Sequence, residues 1–184
     1  MSSGATSQQP GTDLTSEKQD GSSKTTTTRR APGELDLAKL LESVHPIVNP
    51  GEYLFLAVDD ETLERIPRAA TLFEFKEHRC GQQHREEGTT VVVERQQAAQ
   101  LGLRPRDDYV ASWITLQVQS SLEAVGLTQH VAEQLAEVGV SANVVAAYHH
   151  DHVFVHSRDR DTAEQALLAL AEKHRKQNSY TSGN

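Results

Sequence analysis

The chain has 184 residues, a single cysteine and a formal net charge of −8, and its apolar content of 36% is too low for the whole length to pack into a core. The acidic balance without a basic face argues against a nucleic-acid partner, and the lack of a long apolar run or a basic-then-apolar N-terminus argues against a membrane partner and a secretory signal. Cys80 alone makes no internal disulfide, which fits a reducing, cytoplasmic compartment.

From Met1 to Pro32 the residues are mostly Ser, Thr, Gln, Gly, Asp and Lys, with Leu14 almost the only sizeable apolar side chain. Such a stretch cannot offset its chain entropy by burial and reads as a disordered tail. In Leu35 to Val48, the positions Leu37, Leu40, Leu41 and Val44 have helical spacing, but a strand ending before Pro46 fits as well, and periodicity does not choose. The turn Asn49-Pro50-Gly51 precedes a buried strand, Tyr53 to Val58. Asp59, Asp60 and Glu61 open a helical turn to Ile66; three acids invite a metal, but favourable charges at a helix N-terminus explain them better. Ala70 to Phe75 and Thr89 to Val93 read as two more strands, and Gln96 to Leu101 as a short helix ended by Gly102. The polar loop Glu77 to Glu87 between those strands carries His78, Cys80 and His84, zinc-ligand types without a fourth local partner.

In the second half, Ile114, Leu116 and Val118 alternate with polar residues as in a strand with one buried face. After the loop SSLEAVGL, the residues Leu127, Val131, Leu135 and Val138 line one face of a helix that Thr128 can cap and Gly139 can end. Asn143 to Tyr148 and Val153 to Val155 flank the polar turn His149-His150-Asp151-His152 as a hairpin. Asp161 and Glu164 form a capping box opening a helix that buries Ala163, Ala166, Leu167 and Leu170. The order β-α-β-β-α is most of a ferredoxin-like unit, and the first half is a loose repeat of it.

Over SSLEAVGLTQHVAEQLAEVGVSANVVAAYHHDHVFV the chain resembles small two-domain members of the ACT-domain family, amino-acid-sensing regulatory modules whose relatives include the tandem ACT units of an arginine sensor. The resemblance covers about Leu35 to Lys173. It implies an α+β fold of two ferredoxin-like, βαββαβ-related ACT-type units in tandem, a first ACT-like domain over 34–106 and a second over 107–175, flanked by tails whose polar composition reads as disordered over 1–33 and 176–184. It also implies that Leu37 to Leu41 is a strand helping to complete the first sheet, since nothing after Arg175 has the character of a closing strand. Many ACT domains carry Asp-x-Pro-Gly-Leu after their first strand, where ligand binds. Here Glu123 stands near the Asp position, Gly126-Leu127 match the Gly-Leu, and Val125 replaces the proline.

A loop entering a helix N-terminus presents unpaired N–H groups and partial positive charge, which suits the α-carboxylate of an amino acid or related small metabolite. Ser120, Ser121 and the Gly126 backbone are the expected donors, and Glu123 or the Asn143 side-chain oxygen the expected acceptor of the α-ammonium group. Leu122, Val125, Leu127 and Val144 complete the expected binding set. The plainer alternative is that the serines cap a turn and Gly126 allows positive φ. No nucleophile with a base beside it and no phosphate-binding glycine motif is present, so neither an enzyme nor a cofactor is expected. Two other readings compete with ligand binding. One is a structural module that forms a homodimer or takes a protein partner through sheet edges; the other is a metal enzyme built on His149, His150, Asp151, His152 and His156.

Overall fold

The computed structural model describes residues 33–76, 88–105, 107–118, 120–121 and 123–181; the expected N-terminal tail and the His78, Cys80 and His84 loop lie outside them. The first elements are a helix α1, Leu37–Glu42, and a short strand β1, Pro46–Val48. Helix wins over the strand expected from the resemblance because Asp36 caps it, its carboxylate accepting from the N–H of Ala38 at 3.0 Å and of Lys39 at 3.4 Å. The spacing of Leu40, Leu41 and Val44 then puts all three into the core at 1–2% exposure.

The first unit continues with β2 (Tyr53–Val58), α2 (Asp60–Arg65), β3 (Thr71–Lys76), β4 (Thr89–Glu94) and α3 (Arg95–Gln100). The Asp59 carboxylate accepts from the Thr62 N–H at 2.8 Å, so the three acids there serve the start of α2. The second unit is β5 (Ala111–Leu116), α4 (Leu127–Glu137), β6 (Ala142–Ala146), β7 (Asp151–His156) and α5 (Arg160–Thr181).

All pairings between strands are antiparallel, in the order β3-β4-β2-β5-β7-β6, with β1 also on β5. Strand β5 joins the units: its first residue Ala111 pairs with Tyr53 of β2, and further along the same edge Ile114 to Leu116 pair with Val48 to Pro46 of β1. The closing strand of the second unit therefore comes from ahead of the first unit, as Pro46–Val48, while the Leu37 to Leu41 strand expected to help complete the first sheet is instead helix α1.

One face of the sheet packs on helices. Ile114, Leu116, Val153 and Val155 meet Leu40, Leu41, Val131, Leu135 and Leu167 in the second unit, while Leu54, Leu56, Val91 and Val93 meet Ile66 and Ala98 in the first. The other face is aromatic, with Phe154 fully buried among Tyr53, Phe55, Phe73 and Trp113. Phe73 of β3 lies 5.7 Å from Phe154 of β7, ring centre to ring centre, although three strands separate them in the sheet. The sheet is thus strongly curled, and edge-on aromatic contacts fill its hollow.

Three local expectations change. Helix α4 begins after Gly126, which has φ 103° and no side chain to offer, so Thr128 is not its cap. Helix α5 follows a 3-10 turn at Ser157–Asp159, and the Asp161 carboxylate accepts from Arg160 Nε at 2.9 Å in place of a capping box. The same helix continues through Lys176 to Thr181, where a disordered tail was expected; Asn178 donates to Glu42 of α1 at 2.8 Å and ties its last turns down.

Candidate ligand-binding site

Beyond Leu116 the chain leaves β5 and turns through Ser120 and Ser121 into α4. The hairpin of β6 and β7 closes tighter than expected, with the Ala147 N–H donating to the His150 carbonyl at 3.2 Å. This moves Asp151 and His152 out of the turn and into β7, where Asp151 pairs with Leu116 on one side and Ala146 on the other. Strand alternation then sends Asp151 to the same face as Val153 and Val155, toward the helices.

A cavity of about 80 Å³ results, lined by Ser120, Ser121, Ala124, Leu127, Thr128, Ala146 and Asp151. Asp151 is only 6% exposed and Ser121 3%. Burial pushes the Asp151 carboxyl above its usual range, and the nearby His150 pulls it part of the way back. Leu127 and Thr128 are the first residues of α4, and the glycine at the cap position offers their N–H groups no side-chain cap among the described residues. An acceptor for a cation and donors for an anion thus share one small cavity.

Of the expected binding residues, Ser120, Ser121 and Leu127 come together here. Ser121 also shapes the turn: its N–H donates to the Glu34 carbonyl at 3.0 Å and its Oγ accepts from the Glu123 N–H at 3.2 Å. The others do not join them. Glu123 is exposed, and Val125 is 83% exposed. Gly126 faces α1, where an added Cβ would come 2.9 Å from Leu37 Cδ2. Asn143 lies at an exposed position of β6, is not among the residues lining the cavity, and has its Nδ2 donating to the Tyr109 hydroxyl at 3.4 Å. Val144 packs against the core beneath the helices. Leu122 lies outside the described residues.

Asp151 is the residue that sequence reasoning misplaced. Its signal was present: Asp151, Val153 and Val155 alternate, so starting the strand two residues earlier turns that carboxylate inward. The same alternation separates the histidines. His152 points to the aromatic face, where its Nδ1 accepts from Trp113 Nε1 at 3.0 Å and lies 3.1 Å from Thr115 Oγ1. His156 Nδ1 accepts from the Arg158 N–H. Among the described residues no three His, Cys, Asp or Glu side chains converge on one point as metal ligands would, and no helix is long and apolar enough to cross a membrane.

Residues 32–111 and 109–169 each match a family model described as an ACT domain. A protein of unknown function from Vibrio cholerae is 39% identical, over 73% of this chain and 95% of that one, with a TM-score of 0.59. The chain belongs to the ACT-domain family. Its two ACT matches meet over residues 109–111, where Ala111 pairs with the first unit before β5 continues into the second. The cavity lies wholly within the second ACT match. More distant are an Agrobacterium tumefaciens protein (19% identity, 70% of this chain and 89% of that one, TM-score 0.45) and an aspartokinase (14%, 68% and 95%, TM-score 0.43). A comparison with curated proteins finds no match.

Proposed function

We propose that this chain is a non-catalytic regulatory module that binds an amino acid in the cavity of its second ACT unit. The observation that carries this reading is the buried Asp151 carboxylate in one cavity with Ser120, Ser121 and the start of α4. The carboxylate takes the α-ammonium group. The serine hydroxyls and the free N–H groups of α4 take the α-carboxylate. Ligand cavities usually measure about 300–1,000 Å³, so a volume of about 80 Å³ favours glycine, alanine or serine over a long side chain. This separates the chain from the arginine-sensing ACT proteins it resembles. A cytoplasmic location and signalling to a protein partner or second copy belong to the same reading, with the outer strands β3 and β6 offering sheet edges for pairing.

Calorimetric titration of glycine, L-alanine, L-serine and L-arginine into the full chain tests the proposal. Saturable binding of a small amino acid that weakens about tenfold or more in Asp151→Asn is the expected result. If none of the four binds, the remaining reading is a structural module that associates through its sheet edges.

A further inference from the structure

The first ACT unit has a larger cavity of its own. It measures about 340 Å³ and is lined by Leu54, Ala99, Leu103, Pro105 and Val110 together with Arg95, Asp107 and Asp108. That volume falls in the range typical of small-molecule sites. The apolar lining comes from β2, α3 and the segment that returns the chain from α3 to β5.

The charged groups are positioned from outside the cavity. The Arg95 N–H donates to the Glu52 carbonyl at 2.7 Å, and its Nη1 donates to the Glu52 carboxylate at 2.6 Å. One hydrogen bond to Glu52 leaves most of the guanidinium's five donors for a second anion. Asp107 Oδ1 accepts from the Tyr109 N–H at 3.0 Å, which fixes the carboxylate in the returning segment. Among the described residues Arg95 pairs with Glu52 and with neither aspartate, so the wall of the cavity presents a cation and two anions that do not neutralise each other.

We propose that this cavity is a second small-molecule site, taking a zwitterion with an aliphatic body. The ligand carboxylate pairs with Arg95, its ammonium group with Asp107 and Asp108, and its alkyl part covers Leu54, Leu103 and Val110. The chain would then hold two sites of different size, one in each ACT unit. This proposal does not depend on the Asp151 cavity, because the two share no residue.

The test is calorimetric titration of the full chain with L-leucine, and with 4-methylpentanoate and 3-methylbutan-1-amine, which each keep the alkyl body and one of the two charges. Leucine is expected to bind saturably, and each singly charged analogue about tenfold or more weaker, as loss of a charge-assisted contact implies. Ala99 and Arg95 are both exposed, so Ala99→Phe, which fills the cavity, and Arg95→Gln should each remove leucine binding without changing Tm. Asp151→Asn should leave leucine binding unchanged, whatever it does to glycine. The proposal is overturned if leucine does not bind, if binding survives Ala99→Phe, or if it is lost in Asp151→Asn, which would place leucine in the second unit.

Discussion

The backbone N–H of Ser121 donates to the carbonyl of Glu34 at 3.0 Å, binding the loop ahead of α4 to the segment ahead of α1. The approach is close enough that a Cβ on Gly33, which has φ 128°, would come 2.5 Å from the Ser121 nitrogen. Gly33→Ala should therefore destabilise the chain by about 1–3 kcal/mol, the usual cost of a strained backbone position. It should also weaken binding in the Ser121 cavity, since the loop must shift to make room. Thermal denaturation and calorimetry of the variant check both effects; wild-type values for both would show that the loop holds its shape without this contact.

Gly126→Val separates the two roles available to that glycine. Its φ of 103° is costly for a β-branched residue, and the new side chain would strike Leu37. Gly126 is not among the residues lining the cavity. We expect lower stability, while protein that remains folded by circular dichroism still binds the small amino acid. Loss of binding in fully folded variant would instead put Gly126 in the site.

Asp151→Asn should raise stability at neutral pH or leave it unchanged, and weaken ligand binding by about 1.5–3 kcal/mol, the usual range for a hydrogen bond to a charged group. Burying an ionised carboxylate is costly, whereas the amide keeps the shape without the charge. A marked drop in Tm would mean that Asp151 serves the fold more than the ligand.

The raised Asp151 pKa gives a pH dependence with a definite sign. Below its ordinary range the carboxyl is protonated in both folded and unfolded chain, and it contributes no difference. As pH rises, the unfolded chain ionises first, so stability falls until the folded carboxyl has also lost its proton. Binding of an ammonium group needs the ionised form and should strengthen over that same interval. Titrations at several pH values should show affinity falling, on acidification, at a higher pH than an ordinary aspartate would cause; a flat profile would count against Asp151 as the ammonium partner.

Leu116→Ala tests the strand register. Leu116 is 1% exposed, opposite Asp151 on β7 and Pro46 on β1, so its truncation should cost about 2–5 kcal/mol in denaturant unfolding. A neutral result would contradict the inward position of Leu116.

Most of the elements were legible in the sequence, because alternation at Ile114 and Leu116 and the helical spacing of Leu127, Val131 and Leu135 are local patterns imposed by burial of one face. The loop of Ser120 and Ser121 was legible for a similar reason: a turn entering a helix has a recognisable composition. The spacing over Leu37 to Val44 allowed helix or strand, and the Asp36 cap that decides for helix is itself local; tertiary structure alone decided that Pro46–Val48 pairs with β5, since strand pairing joins residues far apart in the chain. It also decided that α5 runs on to Thr181, where Asn178 finds Glu42, and that the hairpin closes before Asp151. That last point turned a residue read as part of a polar turn into the buried carboxylate of the cavity. Periodicity records which face of an element is buried; which neighbour covers it, and where a turn ends, depend on contacts that leave no local mark.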